Sequence, residues 1–199
     1  MAKIILHIDL NAFFVRCEEI KDPSLINKPV IVGSDGRAGI VSTCSYKARE
    51  YGIHSGMPTF QAKALCPNLI IKESDFHFYH LMSNEFFVFL SKYSKIIEVA
   101  SIDECYVDMT GILDKVQDVN QYLKDLQNNL YKETGLKCSI GVAPTKFLAK
   151  MASDLKKPMG ITIIRKKEIS KYLKKLLLYA VNSPQDNEKK RLQKIFISI

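Results

Sequence analysis

No stretch of this sequence approaches the roughly 20 consecutive apolar residues of a membrane span, although 47% of its 199 residues are hydrophobic. The apolar residues are free to build a core, enough for one domain or two small ones. The N-terminus, MAKIILHIDLNAFF, has only a short apolar run, broken by His7 and Asp9, and no small-residue cleavage site. A signal peptide is therefore not expected. The five cysteines (17, 44, 66, 105 and 138) are odd in number, widely spaced and without a CxxC pair. They predict neither a disulfide framework nor a zinc site, but reduced thiols in a cytoplasm. There is no internal repeat and no low-complexity tract. Acidic residues become scarce towards the end. Residues 1–142 carry 15 Lys/Arg against 17 Asp/Glu, and residues 143–199 carry 14 against 4. This surplus fits a solvated, lysine-rich helical surface or a surface for phosphate backbones; charge alone does not choose.

Residues 3–9 (KIILHID) form an apolar, β-branched run ending in an acid. A helix is expected over NAFFVRCEEIKD, with Asn11 as its N-cap. Short strands are expected at 29–33, 39–44 and 68–72, with a turn at SDGRAG. Short helices are expected at 45–52, stopped by Gly52, and at 59–66. Two long helices fit 75–95 and 114–133, the second with Leu123, Leu126 and Leu130 on one face. Between them KIIEVA and CYVDMT read as two strands. A strand at 138–143, a helix at 145–155 and a strand at 160–164 complete the described pattern. The order predicts an α+β layer fold. Residues 3–9 and everything from 75 onward trace a ferredoxin-like β-α-β-β-α-β motif, interrupted by an insert at 13–75.

Within SIDECYVD, Asp103 and Glu104 are adjacent at the start of a strand. Neighbours in a regular strand face opposite sides, so one carboxylate would point towards the core, at high cost if unpaired. In the split motif the first strand neighbours this hairpin, so Asp9, Asp103 and Glu104 can converge at one sheet edge. Three acids in one place repel unless cations lie among them. Hard oxygen ligands suit Mg²⁺, and two such ions can clamp the attacking and leaving oxygens of a phosphoryl transfer. A surface turn with solvated acids is the alternative at this level.

Four separated stretches carry a resemblance: HIDLNAFF, STCSYKAREYGIHSGMP (42–58), SIDECYVD and GVAPTKFLAKMASDLKKPMG (141–160). Together, over residues 3 to 165, the chain resembles the Y-family translesion DNA polymerases of the DNA polymerase IV group. The resemblance implies a low-fidelity, template-directed transfer from a deoxynucleoside triphosphate to a primer 3′-hydroxyl. It implies a palm at 1–12 and 76–165, fingers at 13–75, and a partial or diverged thumb at 166–199. Asp9, Asp103 and Glu104, with the Leu10 carbonyl, would hold two Mg²⁺ ions. Phe14 would be the steric gate against a ribose 2′-hydroxyl, with Phe13 in the core. Thr43, Tyr46, Arg49 and Lys157 would grip the triphosphate, Ser101 would brace the acidic segment, and Lys146 and Lys150 would be structural or backbone-facing.

Family members continue into a Gly-rich helix-hairpin-helix, a DNA-gripping little finger and often a clamp-binding tail. Here no glycine follows Gly160, so the little finger is not expected in this chain. Primer-template DNA and deoxynucleotide are the implied partners, with a sliding clamp only in a longer form. This chain alone is expected to hold DNA weakly and in a salt-sensitive way. Two other functions remain open from sequence: a nucleotide- or DNA-binding remnant without catalysis, and a nucleotidyl cyclase-like palm enzyme, although no GGDEF-type hairpin is present.

Overall fold

The computed structural model describes residues 3–36 and 38–172. Strand β1 (Ile5–Leu10) lies at the centre of a five-stranded sheet with β5 (Ile97–Val99), β6 (Glu104–Asp108), β7 (Cys138–Ala143) and β8 (Ile161–Ile163), in the order β5-β6-β1-β7-β8. β1 is antiparallel to both β6 and β7, while β8 runs parallel to β7. Helices α4 (Phe76–Leu90) and α5 (Val119–Thr134) complete the expected ferredoxin-like order, and α6 (Lys146–Asp154) forms the crossover from β7 to β8. A second sheet, β3-β2-β4, is built from β2 (Val30–Gly33), β3 (Val41–Cys44) and β4 (Ile70–Lys72). Helices α1 (Phe13–Lys21), α2 (Tyr46–Arg49) and α3 (Thr59–Leu65) accompany it.

The large sheet has two different faces because side chains alternate along a strand. Leu6, Ile8 and Leu10, Cys105 and Val107, and Cys138, Ile140 and Val142 join Phe86 and Leu90 of α4 and Leu123, Leu126 and Leu130 of α5 in the main core. The opposite parity belongs to α6: Ile5 and Ala143 pack with Leu148, Ala149 and Ala152. The small sheet has its own cluster, in which Ile31, Val41 and Cys44 meet Ala48, Ile53 and Ala62. Its strand β2 also sends Val30 and Val32 into the main core beside Phe13 and Val15 of α1. Among the described residues, no helix is long and apolar enough to cross a membrane.

Three local expectations need correction. Asn11 does not cap α1; Ala12 does, in the left-handed region at φ 46°, without a side-chain cap. The Asn11 side chain is used elsewhere, as shown below. The helix expected at 75–95 ends at Leu90, where Ser91 caps it and Ser94 turns away to donate to the Asp108 carbonyl. The helix expected from 114 starts at Val119, because Asp118 caps it by accepting from the Gln121 amide, and residues 113–115 form a separate 3₁₀ turn. The segment 166–199 lies outside the described residues from 173 onward.

The close seat of α6 depends on Gly141 of β7. A Cβ there would lie 1.9 Å from the Ala149 carbonyl oxygen and 2.4 Å from the Ser153 amide nitrogen. Both obstacles are backbone, so the helix itself would have to move. Gly141→Ala is expected to cost about 1–3 kcal/mol, the range for overpacking, measured as a lower urea midpoint.

Candidate active site

The parity that sends Leu6, Ile8 and Leu10 into the main core puts His7 and Asp9 on the α6 face. Glu104 is the cross-strand partner of Asp9, and Tyr106 that of His7, so both acids belong to the same face. Asp103 precedes β6 rather than lying inside it. The Ala100 and Ser101 amides both donate to the Glu104 carbonyl, a tight turn that frees Asp103 from strand alternation. The Leu10 amide donates to the Asp103 carbonyl at 2.9 Å. Ser101 Oγ donates to Asp103 Oδ1 at 2.5 Å and lies near the Asp103 amide, as expected of a brace. The adjacency that looked costly therefore leaves neither acid in the apolar core.

Lysines meet two of the three carboxylates. Lys157 Nζ is 2.8 Å from Asp9 Oδ1 and 2.8 Å from Asp154 Oδ1. Lys150 Nζ donates to both Glu104 oxygens at 2.6 Å. Burial raises the Asp9 pKa to about 6, outweighing the opposing pull of Lys157. Burial also works against the Lys157 charge, but Asp9 and Asp154 more than offset it and its pKa is raised. At Glu104 burial pushes upward, and the Lys150 and His7 contacts bring the net pKa down. Lys150, expected to be structural, is thus a direct partner of a candidate ligand. Lys146 pairs instead with exposed Glu98.

His7 is fully buried behind Glu104. Ser153 Oγ donates to the Lys150 carbonyl at 2.7 Å and lies 2.8 Å from His7 Nδ1. On the other side of the ring, Nε2 lies 3.2 Å from Glu104 Oε2. Burial, above all, lowers the His7 pKa to about 4, so the ring is neutral at pH 7 and the 3.2 Å contact is not an ion pair.

A cavity of about 160 Å³ opens beside these acids, lined by Asp9, Leu10, Phe13, Thr43, Tyr46, Arg49, Asp103 and Lys157 among others. Tyr46 and Arg49 come from α2, whose N-cap Ser45 accepts from the Ala48 amide. The Arg49 guanidinium lies 4.9 Å from the Tyr46 ring centroid. Phe14 is half-buried and does not line this cavity. Its ring stacks on Tyr79 at 4.6 Å with an interplanar angle of 18°, and Tyr79 donates to Glu18 at 2.8 Å. Phe13 is buried in the main core yet also borders the cavity.

Divalent cations fit the donor set, which is carboxylate oxygen throughout, with two of the acids already drawing cationic partners. Asp9 and Glu104 are turned onto lysines and Asp103 onto Ser101, and among the described residues no three His, Cys, Asp or Glu groups are gathered as a ready metal cage.

Sequence reasoning missed the second layer. Asn11 Nδ2 donates to Ser139 Oγ at 2.9 Å, and its Oδ1 accepts from the Met159 amide at 2.8 Å. Asn11 thereby ties the end of β1 to β7 and to the loop carrying Lys157. Only the His7 role had a signal, a polar residue of Asp9 parity inside an apolar strand.

The impB/mucB/samB family model matches residues 8–154. The chain is 42% identical over 173 residues to DNA polymerase IV of Listeria monocytogenes serotype 4a, covering 86% of this chain and 49% of that protein. It is 46% identical over 170 residues to DNA polymerase IV 1 of Bacillus subtilis (strain 168), covering 84% and 41%. The chain thus spans about half the length of these relatives or less. Among solved structures it is similar to the insertion ternary complex of Dbh DNA polymerase, with a TM-score of 0.84 and 30% identity over 96% of this chain and 57% of that one. DinB from Sulfolobus solfataricus gives 0.79 and 32%, over 85% and 50%.

Replacing Asn11 with alanine would strip the buried Ser139 hydroxyl and the partly buried Met159 amide of a partner. Asn11→Ala is expected to cost about 1–3 kcal/mol, the penalty for a buried polar group left unmade. Hydrogen exchange should show the Met159 amide losing protection; unchanged protection would contradict the tie.

Proposed function

Because the chain belongs to the impB/mucB/samB family, we propose that it is the catalytic portion of a template-directed, translesion DNA polymerase of the DNA polymerase IV group. One observation carries this reading: Asp9, Leu10, Thr43, Tyr46, Arg49, Asp103 and Lys157, distant in sequence, border one cavity that gathers two acids with two cationic side chains. In this reading residues 1–12 and 76–165 are the palm, residues 13–75 the fingers, and 166–199 a partial or diverged thumb segment. The substrates are primer-template DNA and a deoxynucleoside triphosphate. A sliding clamp would be a partner of a longer form. The five free, buried thiols suit a reducing cytoplasm.

Asp9, Asp103 and Glu104, with the Leu10 carbonyl, would hold two Mg²⁺ ions. Bound there, such ions would lower the pKa of the primer hydroxyl and neutralise charge on the triphosphate. The protein's part is placement. The β1–β6 pairing sets Asp9 opposite Glu104, and the turn at 100–103 presents Asp103 beside them. Arg49 would take phosphate oxygens in a bidentate fork, with Tyr46, Thr43 and Lys157 as further donors. Phe14, wedged against Tyr79, would present its ring to the sugar and obstruct a 2′-hydroxyl. Discrimination would then come from an obstacle rather than an added contact.

Primer extension with Mg²⁺ at low salt tests the reading. Asp103→Ala should abolish nucleotide addition while leaving the far-ultraviolet circular dichroism unchanged; an unchanged rate would remove Asp103 from the chemistry. Separately, Phe14→Ala should raise ribonucleotide incorporation relative to deoxynucleotide incorporation. A constant ratio would reduce Phe14 to its stack on Tyr79.

A further inference from the structure

Along α6, Lys146 and Lys150 are one turn apart and share a side of the helix. Their partners differ in kind. Lys146 reaches Glu98 at the sheet rim, where the two side chains are 51% and 60% exposed; such a pair is worth little. Lys150 reaches inward to Glu104, where the exposures are 33% and 18%, and it engages both carboxylate oxygens equally at 2.6 Å. Behind Glu104 lies the buried, neutral His7 ring, with Nε2 3.2 Å from Oε2. Without Lys150, Glu104 would be a partly desolvated carboxylate with no cationic side chain in contact.

We propose that Lys150 is a positioning residue which occupies the cation place at Glu104 whenever no divalent ion is bound there, so that metal loading at this carboxylate is an exchange of ammonium for metal. The proposal rests on the metal-binding role given above to Glu104. It explains why the lysine is delivered by a helix seated through Gly141 rather than by a loop: the ammonium must reach both oxygens in one geometry. The exchange carries a cost in affinity, since an incoming ion competes with two charge-assisted hydrogen bonds.

Mn²⁺ is the probe, titrated into the full chain without nucleotide or DNA and followed by electron paramagnetic resonance. Lys150→Met keeps most of the apolar stem and removes the charge. It is expected to bind Mn²⁺ about tenfold more tightly than the wild type, equivalent to about 1.4 kcal/mol. Its metal-free melting temperature should fall, and Mn²⁺ should raise it by more than in the wild type. In a Glu104→Gln background, Lys150→Met should leave Mn²⁺ affinity unchanged. Lys146→Met should leave it unchanged in the wild type. A merely structural Lys150 would lower the melting temperature without tightening Mn²⁺ binding, and that result overturns the proposal. If Lys150→Met does not fold, Lys150→Arg decides. Its fork retains the charge on Glu104 and should bind Mn²⁺ no more tightly than the wild type; tighter binding overturns the exchange. A wild type that binds no Mn²⁺ would instead overturn the metal-binding reading on which the proposal rests.

Discussion

A carboxylate at the end of a buried central strand must meet a cation or give up its charge. Much of this molecule follows from that requirement at Asp9 and Glu104. One face of the sheet is surrendered to the main core, and the other is closed by α6, which brings Lys150 to Glu104. The turn after α6 brings Lys157 to Asp9. Gly141 lets the helix lie close enough for these reaches, and Asn11 fastens the loop that follows. A small alteration in the packing of α6 would therefore be felt first in the charge balance of the carboxylates.

The second sheet answers a different need. Its own cluster is small, and β2 leans on the main core through Val30 and Val32. Tyr46 and Arg49 are thereby presented from a separate support across a cavity from the acids. Phe14 sits at the root of this arrangement, on α1, and its orientation is inherited from Tyr79 of α4.

Much of this was legible in the sequence, for a physical reason. Strand parity is written directly in residues 5–10, 105–109 and 138–143, and parity decides which side chains share a face. Parity puts Asp9 and Glu104 on one face, the split order of elements brings the hairpin with Asp103 beside the first strand, and Leu123, Leu126 and Leu130 marked the buried stripe of α5. What was not legible depends on approach through space. Lys150 and Glu104 are 46 positions apart, and His7 and Ser153 are 146 apart; no local pattern links either pair. Asn11 looked like a helix cap because its residue type favours one, yet two longer-range hydrogen bonds outcompeted that local use. The ends of α4 and α5 moved for two reasons: Ser94 turns to the Asp108 carbonyl after α4, and the local cap of Asp118 on the Gln121 amide delays the start of α5.

The cysteines have a practical consequence. All five thiols are free and buried, and burial holds Cys17 and Cys105 at about 12. Thiolate is the reactive form, so the native thiols should be nearly silent towards maleimides while the fold holds. A single cysteine introduced on the exposed side of α3 or α5 would be a unique attachment point for a fluorophore or spin label. The relative movement of the two sheets could then be followed by spectroscopy in an otherwise unmodified chain.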